Sequence, residues 1–201
     1  MVLALSAVLV AAAPASALDV EVKGLHTVGA AVTTAIELRD VIPERFRKTL
    51  VEGGVLHLRV QAELWEARPV WDRLVYPAIV RVFRFTPGAG ATLSMTDAAG
   101  AVATTQEAPR TMPMDMPLGD PSRVSRDSKY YVHVVATLGT LAEREADDVG
   151  DAVFGRPSES NSLGALGRLV FRTALQISDY LQSVTAQTKS RKFAGAEIIR
   201  P

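Results

Sequence analysis

The chain has 201 residues, 22 Lys and Arg against 22 Asp and Glu, and no cysteine. A formal net charge of zero excludes the basic excess of a nucleic-acid-binding protein and any strong steering of charged substrates. The missing cysteine excludes thiolate catalysis, zinc–cysteine sites and iron–sulfur clusters, and the length suits one domain with a core of its own.

The first 17 residues, MVLALSAVLVAAAPASA, carry an apolar run followed by Ala15-Ser16-Ala17. That pattern reads as a signal peptide cleaved after Ala17, although no Lys or Arg precedes the run. It is shorter than the roughly 20 residues that span a bilayer. The expectation is an exported chain in the periplasm or cell envelope, the competing reading being an uncleaved anchor.

Residues 31–41 alternate, with Val32, Thr34, Ile36 and Leu38 on one side, and read as a half-buried strand. In IPERFRKTLVEGG, Pro43 suits a first helical turn, Phe46 and Leu50 share a face, and Gly53-Gly54 suits a left-handed cap. The strand at 55–67 sends Leu56, Leu58, Val60, Ala62 and Leu64 inward and His57, Arg59, Gln61, Glu63 and Trp65 outward. After a turn at 68–73, residues 74–85 resume as a strand whose faces are blurred by Arg81 and Arg84, with Pro77 at an edge or bulge. Leu93 and Met95, the loop DAAG and residues 101–105 make a hairpin. Residues 108–128 read as a loop. In residues 129–141, Tyr130, Val132, Val134, Ala136 and Leu138 face inward.

The remainder reads as an acidic and Gly/Pro/Ser-rich linker and then a helix. Leu163, Leu166, Val170, Ala174, Ile177, Leu181 and Val184 recur at three and four residues, and Lys189, Arg191 and Lys192 complement the C-terminal end of its dipole. The organisation expected is a signal peptide at 1–17, a β-sandwich domain at 18–145, a linker at 146–162, an amphipathic helix at 163–193 and a tail at 194–201. The fold class is mainly β, an antiparallel sandwich with a short inserted helix and a C-terminal α-helix.

The order of these elements resembles an uncharacterised family of exported bacterial proteins, a domain of unknown function. The likeness rests on Val41-Ile42-Pro43, Gly53-Gly54-Val55-Leu56, Trp71-Asp72-Arg73 and Tyr130, Val132 and Val134, and covers roughly residues 30 to 141. It implies an exported β-rich domain often encoded beside a membrane sensor kinase of the nitrogen-regulation type. It implies no substrate and no catalytic residue.

RTMPMDMPL holds three of the four internal methionines, Met112, Met114 and Met116, at alternate positions. Thioethers are soft ligands that suit Cu(I), so the three are candidate metal ligands. They equally suit an apolar strip that covers a sheet edge or closes the core. No second ligand group stands beside them, and the strip is the preferred reading; no cofactor is expected. His57 and His133 face outward; if their strands were neighbours the two could pair, the alternative being solvated sheet residues.

The acidic run from Glu143 to Asp151 lacks the ligand spacing of a calcium loop, PGAGAT lacks the Lys of a phosphate loop, and no nucleophile elbow is present. No enzymatic activity is expected. Trp65, Trp71 and Tyr76 around one turn, with Phe171 and Leu175 off the main helical stripe, are the candidate interface residues. The expected role is a non-enzymatic interaction or accessory domain with a protein partner in the cell envelope, tied by the resemblance to a membrane sensor kinase. The C-terminal helix is a candidate for membrane-surface contact. The alternative is a carrier of a small apolar ligand or soft metal ion.

Overall fold

The structure is a computed structural model that describes residues 17–88, 92–97, 100–105, 109–140 and 183–199. Two antiparallel sheets pack face to face as a β-sandwich, as expected. The smaller sheet has the order β1 (Asp19–Val28), β2 (Ala31–Arg39), β8 (Thr111–Gly119). The larger sheet runs β10 (Ser183–Lys189), β9 (Lys129–Thr140), β3 (Leu56–Ala67), β5 (Ile79–Pro87), β6 (Leu93–Asp97), β7 (Val102–Thr105). The short β4 (Arg73–Leu74) pairs with β3, and β11 (Phe193–Ala194) with β9.

The two longest strands behave as their alternation predicts. In β3 the side chains of Leu56, Leu58, Val60, Ala62 and Leu64 are buried and those between them are half-buried. In β9, Tyr130, Val132, Val134, Ala136 and Leu138 are fully buried. The two lie side by side over their whole length, from Leu56 opposite Thr140 to Ala67 opposite Lys129. Each fully buried aliphatic side chain contributes about 1.5–3 kcal/mol. The faces of β5 also resolve: Phe83 and Phe85 point into the core, and Arg84 points out. Arg81 shares the inner side with the two phenylalanines but sits at its margin, over the Phe83 ring at 5.9 Å.

One end of the sandwich is closed by helix α1 (Glu44–Val51), which buries Phe46 and Leu50. Its C-terminus is a full Schellman motif. Gly53 has φ +87°, its N–H donates to Leu50 O, and the Gly54 N–H donates to Thr49 O at 2.8 Å.

Strand β1 lay outside the sequence reading. A bulge between Val22 and Gly24 shifts its register, so Val20 and Leu25, at opposite parity, are both buried. A bulge removes the period-two signal that identifies a strand.

The expected loop at 108–128 is corrected in its first half, which is strand β8. Its alternation is complete: Met112, Met114, Met116 and Leu118 buried, Thr111, Pro113, Asp115 and Pro117 exposed. Proline is tolerated because β8 has one neighbour among the described strands. The Arg110 carbonyl accepts from the Asp40 N–H at 2.7 Å, so even-numbered residues turn their backbone toward β2. Pro113 and Pro117 therefore turn theirs toward the free edge, where no ladder donor is needed and a foreign strand is refused.

The expected helix over 163–193 and tail at 194–201 are corrected in part. Residues 163–182 lie outside the described residues, as does the linker at 146–162. Residues 183–189, however, form β10, paired with β9 from Ser183 opposite Gly139 to Lys189 opposite His133. Val184, Thr185 and Thr188 are β-branched and fit a pleated surface, and the free edge of β9 supplies the ladder. Lys189, Arg191 and Lys192 consequently stand at no helix end. The C-terminal helix of the described chain is the short α2 (Gly195–Ile198), and residues 193–198 belong to the domain rather than to a tail. Phe193 and Ile198 are buried, and the Thr27 hydroxyl of β1 donates to the Ile198 carbonyl at 2.8 Å, tying the two sheets together at the end opposite α1.

Candidate functional site

The methionine run is placed where its spacing sends it, three thioethers on one face at intervals of roughly 7 Å along an extended strand. That face is the interior. Met112 and Met114 are 8% exposed and Met116 is 0% exposed, all within the core cluster. Among the described residues no group of three or more His, Cys, Asp or Glu stands together as a metal site. The arrangement is that of flexible apolar side chains filling the gap between sheets of different size.

The strands of His57 and His133 are neighbours, but the register separates them. His57 lies opposite Gly139 and His133 opposite Glu63, so six positions, about 20 Å of strand, intervene. His133 instead faces Glu63, with Nδ1 3.5 Å from Oε2. Glu63 also accepts from Gln61 Nε2 at 2.9 Å and Trp65 Nε1 at 3.0 Å. Burial pushes the Glu63 carboxyl up, but the bonds from His133, Trp65 and Gln61 outweigh it and hold the group below the usual carboxylate range. On the same outer face, burial and then the Arg84 charge push the His57 imidazole down.

The three candidate aromatics around the 68–73 turn separate. Tyr76 is buried and closes the core, its hydroxyl donating to the Asp120 carbonyl, and burial pushes its phenol up to about 12. Trp65 lies half-buried on the outer face of the large sheet, fixed by Glu63. Only Trp71 stands free, 81% exposed, beside Val70 at 77%. Phe171 and Leu175 lie outside the described residues.

The turn that carries Trp71 is held from beneath by a carboxylate network. Glu66 has the inward parity of Leu64 but sits at the end of the core, where it is buried. It accepts from Arg68 Nη2 at 2.7 Å, Arg73 Nε at 2.9 Å and the Ser128 hydroxyl at 2.8 Å. Asp72 accepts from the Arg68 N–H at 3.1 Å and from the Tyr131 hydroxyl at 2.9 Å, and these two bonds, in that order, hold it below the ordinary carboxylate range. Thus in Trp71-Asp72-Arg73 the charged pair anchors the turn to β3 and β9 and leaves the indole outside. The sequence signal for Glu66 was a Glu at the inward parity of an alternating strand, with Arg68 and Arg73 just beyond it.

Burial raises the Glu66 carboxyl, but the Ser128 hydroxyl and the two guanidinium groups more than offset this and hold it below the usual carboxylate range. A carboxylate lowered on folding contributes stability above its unfolded pKa and loses it as pH falls through the folded value. Glu66→Gln is expected to cost roughly 2–3 kcal/mol at pH 7, the worth of a hydrogen-bonded charge. It should also flatten the decline in denaturant midpoint between about pH 5 and pH 3; an acid limb as steep as that of the unaltered protein would refute this role.

Among the described residues no helix is long and apolar enough to cross a membrane. Comparison with known protein families, with curated proteins and with solved structures found no match to this chain.

Proposed function

We propose that this chain is an exported, non-enzymatic interaction domain of the bacterial cell envelope, whose contact site is the tip formed by Pro69, Val70 and Trp71. The observation that carries this reading is Trp71. An indole 81% exposed on a turn pinned by Arg68, Asp72, Arg73 and Tyr131 serves no core and is already ordered for contact. Tryptophan is the residue most enriched among the few side chains that dominate interface energies, and a fixed turn lowers the entropy lost on binding. The family resemblance adds a membrane sensor kinase as the partner class. Export fits the fold: β1 begins at Asp19 with Leu18 buried, so cleavage after Ala17 leaves the whole sandwich intact.

The test is affinity capture from envelope extract with the unaltered protein and with Trp71→Ala. A hot-spot tryptophan is worth about 2 kcal/mol or more, so recovery of a membrane-protein partner should fall roughly thirty-fold at limiting concentration. The thermal midpoint should hardly move, because the side chain is outside the core. Equal recovery by both proteins would sink the assignment of the tip.

A further inference from the structure

We infer that the tip docks on an anionic phospholipid surface, so that the domain meets its partner while seated on the bilayer; the inference rests on the reading of residues 69–71 as the contact site.

The tip is apolar: Val70 and Trp71 are the most exposed large hydrophobic residues at this end of the sandwich. Around it stands positive charge. Lys189 and Lys192, both exposed, lie close enough to Asp72 to act on its charge, and the Lys189 ammonium sits 5.5 Å from the centre of the Tyr131 ring. Lys129, exposed at the start of β9, lies opposite Ala67, the last residue of β3 before the turn. None of these three lysines makes a salt bridge among the described residues. The carboxylates nearest the tip are engaged: Glu66 with Arg68 and Arg73, Asp72 with Tyr131 and the Arg68 N–H. Asp127 is the exposed acid in the adjoining loop, next to Arg126.

An indole and a valine projecting beside three exposed lysines that form no salt bridge among the described residues match a bilayer surface in both parts. Tryptophan settles at the headgroup level, where its ring is half in hydrocarbon and its N–H stays wet. Lysines held within a Debye length of anionic headgroups each strengthen attachment by about five-fold, the equivalent of about 1 kcal/mol. A protein groove alone would account for the indole; the lysines call in addition for a negatively charged surface, which anionic headgroups supply.

Co-sedimentation of the full chain with phosphatidylcholine vesicles, with and without phosphatidylglycerol, tests this. Binding is expected only with phosphatidylglycerol. It should weaken between low salt and about 0.15 M, where the Debye length shrinks to roughly 8 Å. It should fall about twenty-five-fold in Lys189→Gln/Lys192→Gln and at least as far in Trp71→Ala, with circular dichroism confirming that each variant is folded. Equal partition onto neutral and anionic vesicles, or variants that sediment like the unaltered protein, would overturn it. Capture of a protein through Trp71 with no vesicle binding would overturn the lipid surface and leave the interaction site standing; failure of both would remove both.

Discussion

Gly195→Ala is expected to destabilise the domain by about 3–5 kcal/mol. A Cβ at residue 195 would lie 1.8 Å from the Ser125 carbonyl oxygen and 2.8 Å from its carbon. The obstacle is backbone, so no side chain can swing aside. The approach is close because the Gly195 N–H donates to Ser128 O at 2.8 Å and the Ala196 N–H to Arg126 O at 3.1 Å. Relief requires the 193–198 segment to withdraw, and with it go the buried Phe193 and Ile198, each worth about 1.5–3 kcal/mol. The check is urea unfolding with hydrogen exchange. The midpoint should drop, and protection should be lost first at β11, α2 and the Thr27 end of β1. An unfolding free energy within about 1 kcal/mol of the parent would show that the loop at 125–128 yields, and would refute the account.

Met116 yields the second large effect, and the pair of substitutions matters more than either alone. Met116→Ala should cost about 2–5 kcal/mol, since it opens a cavity at a site with 0% exposure. Met116→Leu should cost less than about 1.5 kcal/mol, because volume is kept and only the sulfur is lost. A thioether that served as a ligand would abolish that difference for metal affinity, with Leu as damaging as Ala. Thermal midpoints and Cu(I) titration of both variants separate the two roles. Copper binding abolished by Leu at unchanged stability would contradict a packing role.

Much of the sandwich could be read from alternation alone, and where it could not the reasons are local. In β3 and β9 every inward residue named from the sequence is buried, because both strands are regular and have a solvent side. Helix α1 was visible from Phe46, Leu50 and the two glycines, each of which acts as its type suggests, while Pro43 stands one residue ahead of the first turn, at the N-cap. β1 was hidden by one bulged residue. β8 was hidden by prolines, whose meaning depends on which edge of the strand they face, a fact of topology rather than of sequence. β10 was misread because Val184 continues a three-and-four spacing begun upstream, while the free edge of β9 that captures it is invisible in the chain. The proposed contact site was legible only as a group of aromatics. Trp65, Trp71 and Tyr76 are close in sequence, but strand parity and the pinned turn send them to three different environments, and only the structure distinguishes the exposed one.

The pairing of β10 with β9 also bears on the order in which the protein can fold. The two strands are adjacent in the sheet, yet residues 141–182 intervene in the chain. While a ribosome has delivered the chain only as far as Thr140, β9 has β3 on one side and an open edge on the other, and neither Phe193 nor Ile198 is present to seal the end of the core. Closing that long loop carries an entropy cost that grows only slowly with its length, but it must be met before the contacts it brings can form. The sandwich is thus held short of completion until the chain has been made past Ser183. The export proposed above would draw on that delay, because a chain threaded across a membrane must stay unfolded until it has crossed.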